Sequence, residues 1–390
     1  MRPIDDLLEF YVNNSAVEWR SLDSIASRHK GFSVTAKLIN EQKSNKEGIL
    51  VFGAGSTKAY FSPNLVPENR TVKTECIIVK SRGYIDFEYC SIPCAHKSEL
   101  WSYTCDSSLI STKFVYYFLK TITESLQRHA RATSVKIPQL SVGDTDSLMI
   151  PVPPLEVQEE IVRILDSFTK LEANLQTELE SRRKQYEYCK DKLFSFSNEI
   201  PLLTLSDIAD IGTGSSNTNE AIDAGKYPFF VRSQEPLRKN DYDFDETAII
   251  TAGDGVGVGK VYHYVDGKYA LHQRAYRIHI NTPRICPKFF FHYMKYAFLT
   301  YIEKTMYHGS VPSIRRPMLN RFPVPVPPLA EQERIVAILD KFDSLVNDLS
   351  SGLPAEIEAR RKQYEYYRDQ LLTFTPNNSR TANLSRATAS

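Results

Sequence analysis

The most enzyme-like string in the chain is a glycine run, Gly253-Asp254-Gly255-Val256-Gly257-Val258-Gly259-Lys260. Phosphate-cradling loops need fixed spacing, either G-x-G-x-x-G or G-x-x-x-x-G-K-[ST]. Neither fits, because Asp254 stands where the first glycine of the second pattern would be and Val261 follows the lysine. The run is therefore expected to be a turn that lets backbone come close to a phosphate. Cys90, Cys94, His96 and Cys105 are clustered, but at spacings that match no zinc framework. They read as small buried thiols. His263, His272, His279, His292 and His308 share one stretch without the Ser or carboxylate spacing of a triad. Val-Pro-Pro-Leu is not the Asp/Asn-Pro-Pro-aromatic string of an adenine methyltransferase, and Phe52-Gly53-Ala54-Gly55 is out of register for a cofactor loop. Glu41-Gln42-Lys43 alone is too common a string to suggest a nuclease. No catalysis, metal or cofactor is expected within this chain.

Basic residues beside Ser, Gln and aromatics suit DNA better. Lys80, Arg82 and Tyr84 fall in one turn-like stretch, and Arg232, Ser233 and Gln234 in another. Lys260 closes the glycine run, and His272, Gln273 and Arg274 and the pair Arg315 and Arg316 complete the set. Arg reading guanine and Gln reading adenine would be the specific contacts. Taken singly, each residue is equally well explained as solvated charge.

These candidates sit on a long internal repeat. Val152–Leu171 (VPPLEVQEEIVRILDSFTKL) and Val326–Leu345 (VPPLAEQERIVAILDKFDSL) agree at 13 of 20 positions. Ser181–Phe196 (SRRKQYEYCKDKLFSF) and Ala359–Phe374 (ARRKQYEYYRDQLLTF) agree at 10 of 16. Between these blocks the resemblance is weaker: Cys76-Ile77-Ile78 before Gly83 parallels Ala248-Ile249-Ile250 before Gly255, Lys113-Phe114 parallels Lys288-Phe289, and Ile137-Pro138 parallels Val311-Pro312. Asp-x-Leu-x-x-Phe ends both closing blocks and recurs at Asp5, Leu7 and Phe10. A two-fold arrangement with neighbouring termini would complete the unit, and a circularly permuted chain tests it.

Leu155–Ile200 holds neither Gly nor Pro, so a helix is expected from Pro154 to Pro201, a rod of roughly 60–70 Å. Its apolar stripe, Ile161, Leu165, Phe168 and Leu175, should pair with the matching Ile335, Leu339, Phe342 and Leu349. Gly352-Leu353-Pro354 should break or kink the second copy. Short β-like runs elsewhere give two α+β modules. The expected borders are 1–150 (with a short N-terminal helical segment) and 201–322 for the modules, 151–200 and 323–375 for the helical regions, and 376–390 for a disordered tail.

Charge follows the same borders. The chain has 48 basic and 47 acidic residues, a net charge of +1, which removes the simple signal of a strongly basic nucleic-acid binder. Split by segment, the modules carry +2 and +3 and the helical regions −3 and −1. The absence of a long apolar stretch and of a basic, apolar leader, with six scattered cysteines, points to a cytoplasmic protein away from membranes.

Two diverged modules separated by near-identical helical blocks, each opening VPPLxxQ and carrying RRKQYEY, closely resemble the specificity subunit of type I restriction–modification systems. The resemblance implies two target recognition domains, each reading one half of a split double-stranded DNA site, held apart by long helices paired antiparallel like a coiled coil. It implies two methyltransferase subunits as partners, which use S-adenosylmethionine to methylate adenine. Two restriction/translocase subunits using ATP and Mg would complete the complex. Gln158, Arg182, Arg183 and Tyr186, with Gln332, Arg360, Arg361 and Tyr364, are the expected subunit contacts. The divergence of the modules predicts an asymmetric target, and Glu172–Glu180 would act as a ruler for its spacer. The alternatives are a self-contained DNA-modifying enzyme, a specificity subunit of a fused or type IIB-like system, and a coiled-coil adaptor without DNA readout.

Overall fold

The computed structural model describes residues 17–134, 136–305, 313–348 and 350–374. The expectations at Asp5, Leu7, Phe10, His308, Val311, Pro312, Leu349 and the tail from Pro376 lie outside the described residues. The chain divides into two units: the first runs to Asn174 and resumes at Glu358, and the second is Leu175–Ile357.

The first unit contains β1 (Glu18–Ser21), β2 (Ala26–Lys30), β3 (Ile49–Phe52), β4 (Lys58–Phe61) and β5 (Cys76–Lys80). It continues with β6 (Asp86–Cys90), β7 (Cys94–His96), β8 (Trp101–Cys105) and β9 (Met149–Val152). A four-stranded antiparallel sheet runs β2-β8-β5-β6, and a smaller one runs β4-β3-β7. Cys76, Ile77, Ile78 and Val79 are all fully buried because both faces of β5 are covered. Alternation assigns Ile77 and Val79 to the core under the aromatic helix Thr112–Thr121, and Cys76 and Ile78 to the opposite cluster. β1 pairs antiparallel with β9, so the strand entering the module clasps the strand leaving it.

The second unit repeats this plan. β10 (Leu202–Thr204) clasps β17 (Pro323–Pro325), prolines being tolerated in a two-stranded edge pair. Between them lie β11 (Ala209–Thr213), β12 (Tyr227–Phe230), β13 (Leu237–Lys239), β14 (Phe244–Ala252), β15 (Tyr262–Leu271) and β16 (Ala275–Ile280). They form one sheet in the order β11-β16-β14-β15-β12-β13. The aromatic helix Pro287–Thr305 covers it through Phe290, Met294 and Phe298.

Leu155–Leu193 is one helix of 39 residues, about 58 Å long at 1.5 Å per residue. It stops short of the expected end at Ile200. Phe194 leaves the helix to stack on Tyr296 at 5.0 Å, Phe196 lies 6.4 Å edge-on to Phe289, and the Ser and Asn that follow favour helix poorly. The distal region is two helices, Leu329–Asn347 and Leu353–Leu371. Gly352 permits the break, since a Cβ there would lie 2.4 Å from the Ser344 carbonyl oxygen. Pro354 sits in the first turn, where its missing N–H costs nothing.

Within each unit an opening block packs against a closing block. Ile161 and Leu165 share a buried cluster with Leu371, Leu372 and Phe374, and Phe168 stacks on Tyr367 at 5.6 Å. The expectation placed this stripe against Ile335, Leu339 and Phe342. Leu175 does pack with those three, beside Leu179 and Tyr186, but Ile161, Leu165 and Phe168 do not; Tyr186 stacks on Phe342 at 5.5 Å. In the first unit Arg361 donates to Glu172 at 2.8 Å while Tyr367 meets Phe168, so the helices run antiparallel. The physical reason is complementarity: the opening stripes are aliphatic with one Phe, and the closing blocks supply the aromatic faces they lack.

Candidate nucleic-acid interface

Most residues that bind each module to its helix are identical in both copies. Gln158 is fully buried; its Oε1 accepts from the Ser111 amide at 2.8 Å, and its Nε2 donates to the Pro153 carbonyl at 2.7 Å and the Leu109 carbonyl at 3.3 Å. Gln332 repeats this, accepting from the Cys286 amide at 2.8 Å and donating to the carbonyls of Pro327 and Arg284 at 2.8 and 2.9 Å. Lys113 reaches Asp166 at 2.7 Å in one unit, and Lys288 reaches Asp340 at 2.8 Å in the other. Tyr117 donates to Asp166 and His292 lies 2.8 Å from Asp340 at equivalent positions. Burial holds His292 below the usual histidine range despite that carboxylate.

This corrects the expected subunit contacts at Gln158 and Gln332, whose side chains are enclosed and fully hydrogen-bonded inside their own module. Tyr186 is also buried, its hydroxyl donating to Asp343 at 2.7 Å. Tyr364 is partly buried against the first unit's core. Arg182 and Arg360 turn along their helices to Gln185 and Gln363, while Arg183 is exposed and Arg361 pairs with Glu172. Tyr188 and Tyr366 are 63% and 59% exposed, so only some tyrosines of these blocks pack.

The basic candidates of the second unit converge. The Gly253–Gly259 loop follows β14, and Gly257 packs where a Cβ would lie 2.5 Å from the Arg232 carbonyl oxygen. Asp254 accepts from Arg232 Nη1 at 2.5 Å and from Arg274 Nη1 at 3.2 Å. Burial raises the Asp254 pKa, but the two guanidiniums outweigh it and hold the carboxyl below its usual range. Asp254 also forms a backbone bridge with Ser313, which places Arg315 and Arg316 just beyond. Arg232, Ser233, Gln234, Lys260, Gln273, Arg274, Arg315 and Arg316 are all exposed. Ser233 Oγ turns back to the Glu235 carbonyl at 2.7 Å, and Gln273 donates to Asn217 at 2.5 Å.

His272 does not belong to this rim. It is 4% exposed, its Nδ1 accepts from the Arg274 amide at 3.0 Å, and burial together with the two arginines lowers its pKa. It shapes the turn that presents Gln273 and Arg274.

In the first unit, Arg82 and Tyr84 are exposed on the loop after β5. Lys80 is a second correction: its ammonium lies 2.6 Å from Glu88, with only 14% of the side chain exposed, so it is spent inside the sheet. Ser81 to Tyr84 is pinned by two backbone bonds, Gly83 N to Pro138 O at 2.8 Å and Leu140 N to Ser81 O at 2.9 Å. Gln127 braces the loop from the helix Thr123–Thr133, donating to Gly83 O at 3.2 Å and accepting from Ile85 N at 2.7 Å. Arg131 and Lys136 are exposed on the chain that follows Gln127.

Cys90, Cys94 and Cys105 are buried, Cys76 Sγ lies 3.4 Å from Cys94 Sγ, and His96 Nε2 lies 3.0 Å from Ser102 Oγ. No group of three or more His, Cys, Asp or Glu among the described residues is arranged to hold a metal. No described helix is long and apolar enough to cross a membrane. Sequence reading missed Asp254 and the brace at Gln127. The signal for Asp254 was its position between glycines, beside two arginine-bearing turns; Gln127 left none.

Two clasped α+β modules, each packed on helices of its own unit and carrying exposed basic loops, match one known architecture. The profile described as type I restriction modification DNA specificity domain matches residues 14–181 and again 201–359, and the chain belongs to that family. It is 33% identical over 326 residues to the specificity subunit of the type I restriction enzyme EcoR124I/EcoR124II of Escherichia coli, covering 75% of this chain and 77% of that protein. It is 28% identical over 403 aligned positions to a putative type I restriction enzyme specificity subunit of Haemophilus influenzae, covering 94% and 98%. The fold is similar to that of the S subunit of a type I restriction–modification system from M. genitalium, with a TM-score of 0.64 at 18% identity over 93% of this chain and 98% of that one.

Proposed function

We propose that this chain is the non-catalytic DNA-reading subunit of a type I restriction–modification complex, with each module reading one half of a bipartite, asymmetric double-stranded target. The observation that carries the reading is that one scaffold occurs twice with different residues on the same loop. Ser81-Arg82-Gly83-Tyr84 and Gly253-Asp254-Gly255-Val256 follow equivalent strands and make equivalent backbone bridges, Arg82 to Gln139 and Asp254 to Ser313. A fold held constant while its exposed loop changes is what two readers of different sequences require.

Arg82, Arg232, Ser233, Gln234, Lys260, Gln273, Arg274, Arg315 and Arg316 are the proposed DNA-facing residues. The arginines and glutamines carry donors suited to base edges. The exposed helix charges at Arg183 and Lys184, and at Arg361 and Lys362, would face the two methyltransferase subunits. Those subunits would bring S-adenosylmethionine, and restriction/translocase subunits would bring ATP and Mg. The modules at 1–150 and 201–322 would then be exchangeable readers on the helical regions 151–200 and 323–375.

The test is methylome sequencing of cells that express this chain with its methyltransferase partners. Methylated adenines should fall in one split motif with two different halves. Replacing residues 201–322 by the corresponding module of a relative should change one half only, and a motif that changes in both halves or in neither would sink the reading.

A further inference from the structure

Single exposed apolar side chains are ordinary, but two of them here coincide in position. Val256 is 91% exposed and Tyr84 is 76% exposed, the highest values among the described large hydrophobic residues. Each directly follows a glycine in the left-handed region, Gly255 and Gly83, both at φ +81°. Each glycine faces open space, with nothing within 4 Å of where a Cβ would stand. Each loop leaves the buried strand of its module, β14 or β5, and is tied back by the same bond: Ile314 N to Gly253 O at 2.8 Å, and Leu140 N to Ser81 O at 2.9 Å. The two loops share almost no sequence, yet the backbone presents an apolar side chain at the same point of both.

Packing does not explain this, because neither tip buries its side chain. The surroundings do. Arg232 and Arg274 meet at Asp254, two residues before Val256, and Lys260 is exposed four residues after it, while Arg82, Arg131 and Lys136 are exposed on the segments around Tyr84. Cations that hold phosphates, set around one apolar tip, are the arrangement of a side chain carried into a groove. A valine side chain has no hydrogen-bonding group, and the one apolar feature on a base edge in the major groove is the thymine C5-methyl.

We propose that Val256 and Tyr84 are equivalent base-reading tips, one per module, and that Val256 reads a thymine through its C5-methyl group. Gly255 and Gly83 are then positioning residues that aim the tips, and Gly257 keeps the second loop tight against Arg232. The proposal rests on the reading of the chain as a DNA-specificity subunit and adds which side chains discriminate.

The experiment uses the chain assembled with its methyltransferase subunits and a pool of duplexes randomised at every position, sequenced before and after selection. Val256→Ala should flatten the preference at one thymine of one half-site, and Tyr84→Ala should flatten one position of the other half. Tyr84→Phe should keep the wild-type preference if the ring does the reading. On the selected duplex, deoxyuridine in place of that thymine should weaken the wild-type complex about tenfold and the Val256→Ala complex not at all. Both side chains face water, so thermal unfolding of the variants should match the wild type. Unchanged preferences in Val256→Ala and Tyr84→Ala, or a wild type indifferent to deoxyuridine, would overturn the proposal while leaving the broader reading intact. A wild-type complex that enriches no sequence would overturn both.

Discussion

Asp254 places a negative charge at the centre of a basic rim, 2.5 Å from one guanidinium and 3.2 Å from another. Its cost is electrostatic and its benefit is orientation, since a carboxylate fork holds each arginine in one direction. Asp254→Asn should therefore tighten binding to random duplex several-fold and steepen the salt dependence by roughly one counterion, while narrowing the gap between target and random DNA. Fluorescence anisotropy of the assembled complex at several salt concentrations measures all three. The buried glutamines make a different prediction. Gln332→Ala strands a backbone amide and two carbonyls that Gln332 alone caps from the helix side, so it should cost about 2–4 kcal/mol in urea unfolding. Gln332→Glu should do no better, because a carboxylate cannot donate to the Pro327 and Arg284 carbonyls.

At the level of elements, the second unit's helices bring a polar cluster around Asp343 into an apolar seam. The Tyr186 hydroxyl donates to Asp343, Asn347 Nδ2 donates to the same oxygen at 2.9 Å, and Lys295 lies 3.4 Å away. Burial alone would raise this carboxyl, but Lys295, Tyr186 and Asn347 together hold it below its ordinary value of 3.8. A depressed carboxylate contributes stability that is full above its unfolded pKa and is lost as pH falls through the folded one. Stability should therefore drop on acidification below about pH 4, and Asp343→Asn should flatten that limb in urea titrations repeated across pH. Tyr186→Phe should lose about 1–2 kcal/mol at neutral pH.

These elements were largely legible. Short β-like runs marked β5 and β14, the aromatic runs marked both covering helices, and Gly352 with Pro354 marked the break in the distal region. The pairing was legible for Leu175 but not for Ile161, Leu165 and Phe168, because Ile161 and Ile335 lie in near-identical sequences and either could have matched the other. Only the positions of the aromatic rings in space decide it. Within the rim, residue type found the arginines but could not show that Lys80 pairs with Glu88 or that His272 is enclosed. Both depend on what a strand four or more residues away presents.

For the whole molecule, the long helix passes unbroken from the first unit into the second, and the helix Leu353–Leu371 passes from the second back into the first. Four residues inserted within Glu172–Glu180 would add about one turn, roughly 6 Å, close to two base-pair steps. The unspecified spacer of the methylated motif should lengthen by that amount with both halves unchanged, and a spacer that stays the same would refute the ruler.

The first unit is also discontinuous along the chain: its core includes Leu371, Leu372 and Phe374 from beyond the entire second unit. On a ribosome, Ile161, Leu165 and Phe168 therefore emerge long before the side chains that cover them. The first unit cannot reach its final protection until the residues beyond the second unit have been made, and closing so long a loop is a slow event. Pulse-labelled amide exchange on refolding chains should show protection of the Leu155–Asn174 segment lagging behind that of β5 and β8. Until Leu371, Leu372 and Phe374 arrive, every growing chain carries an uncovered apolar stripe.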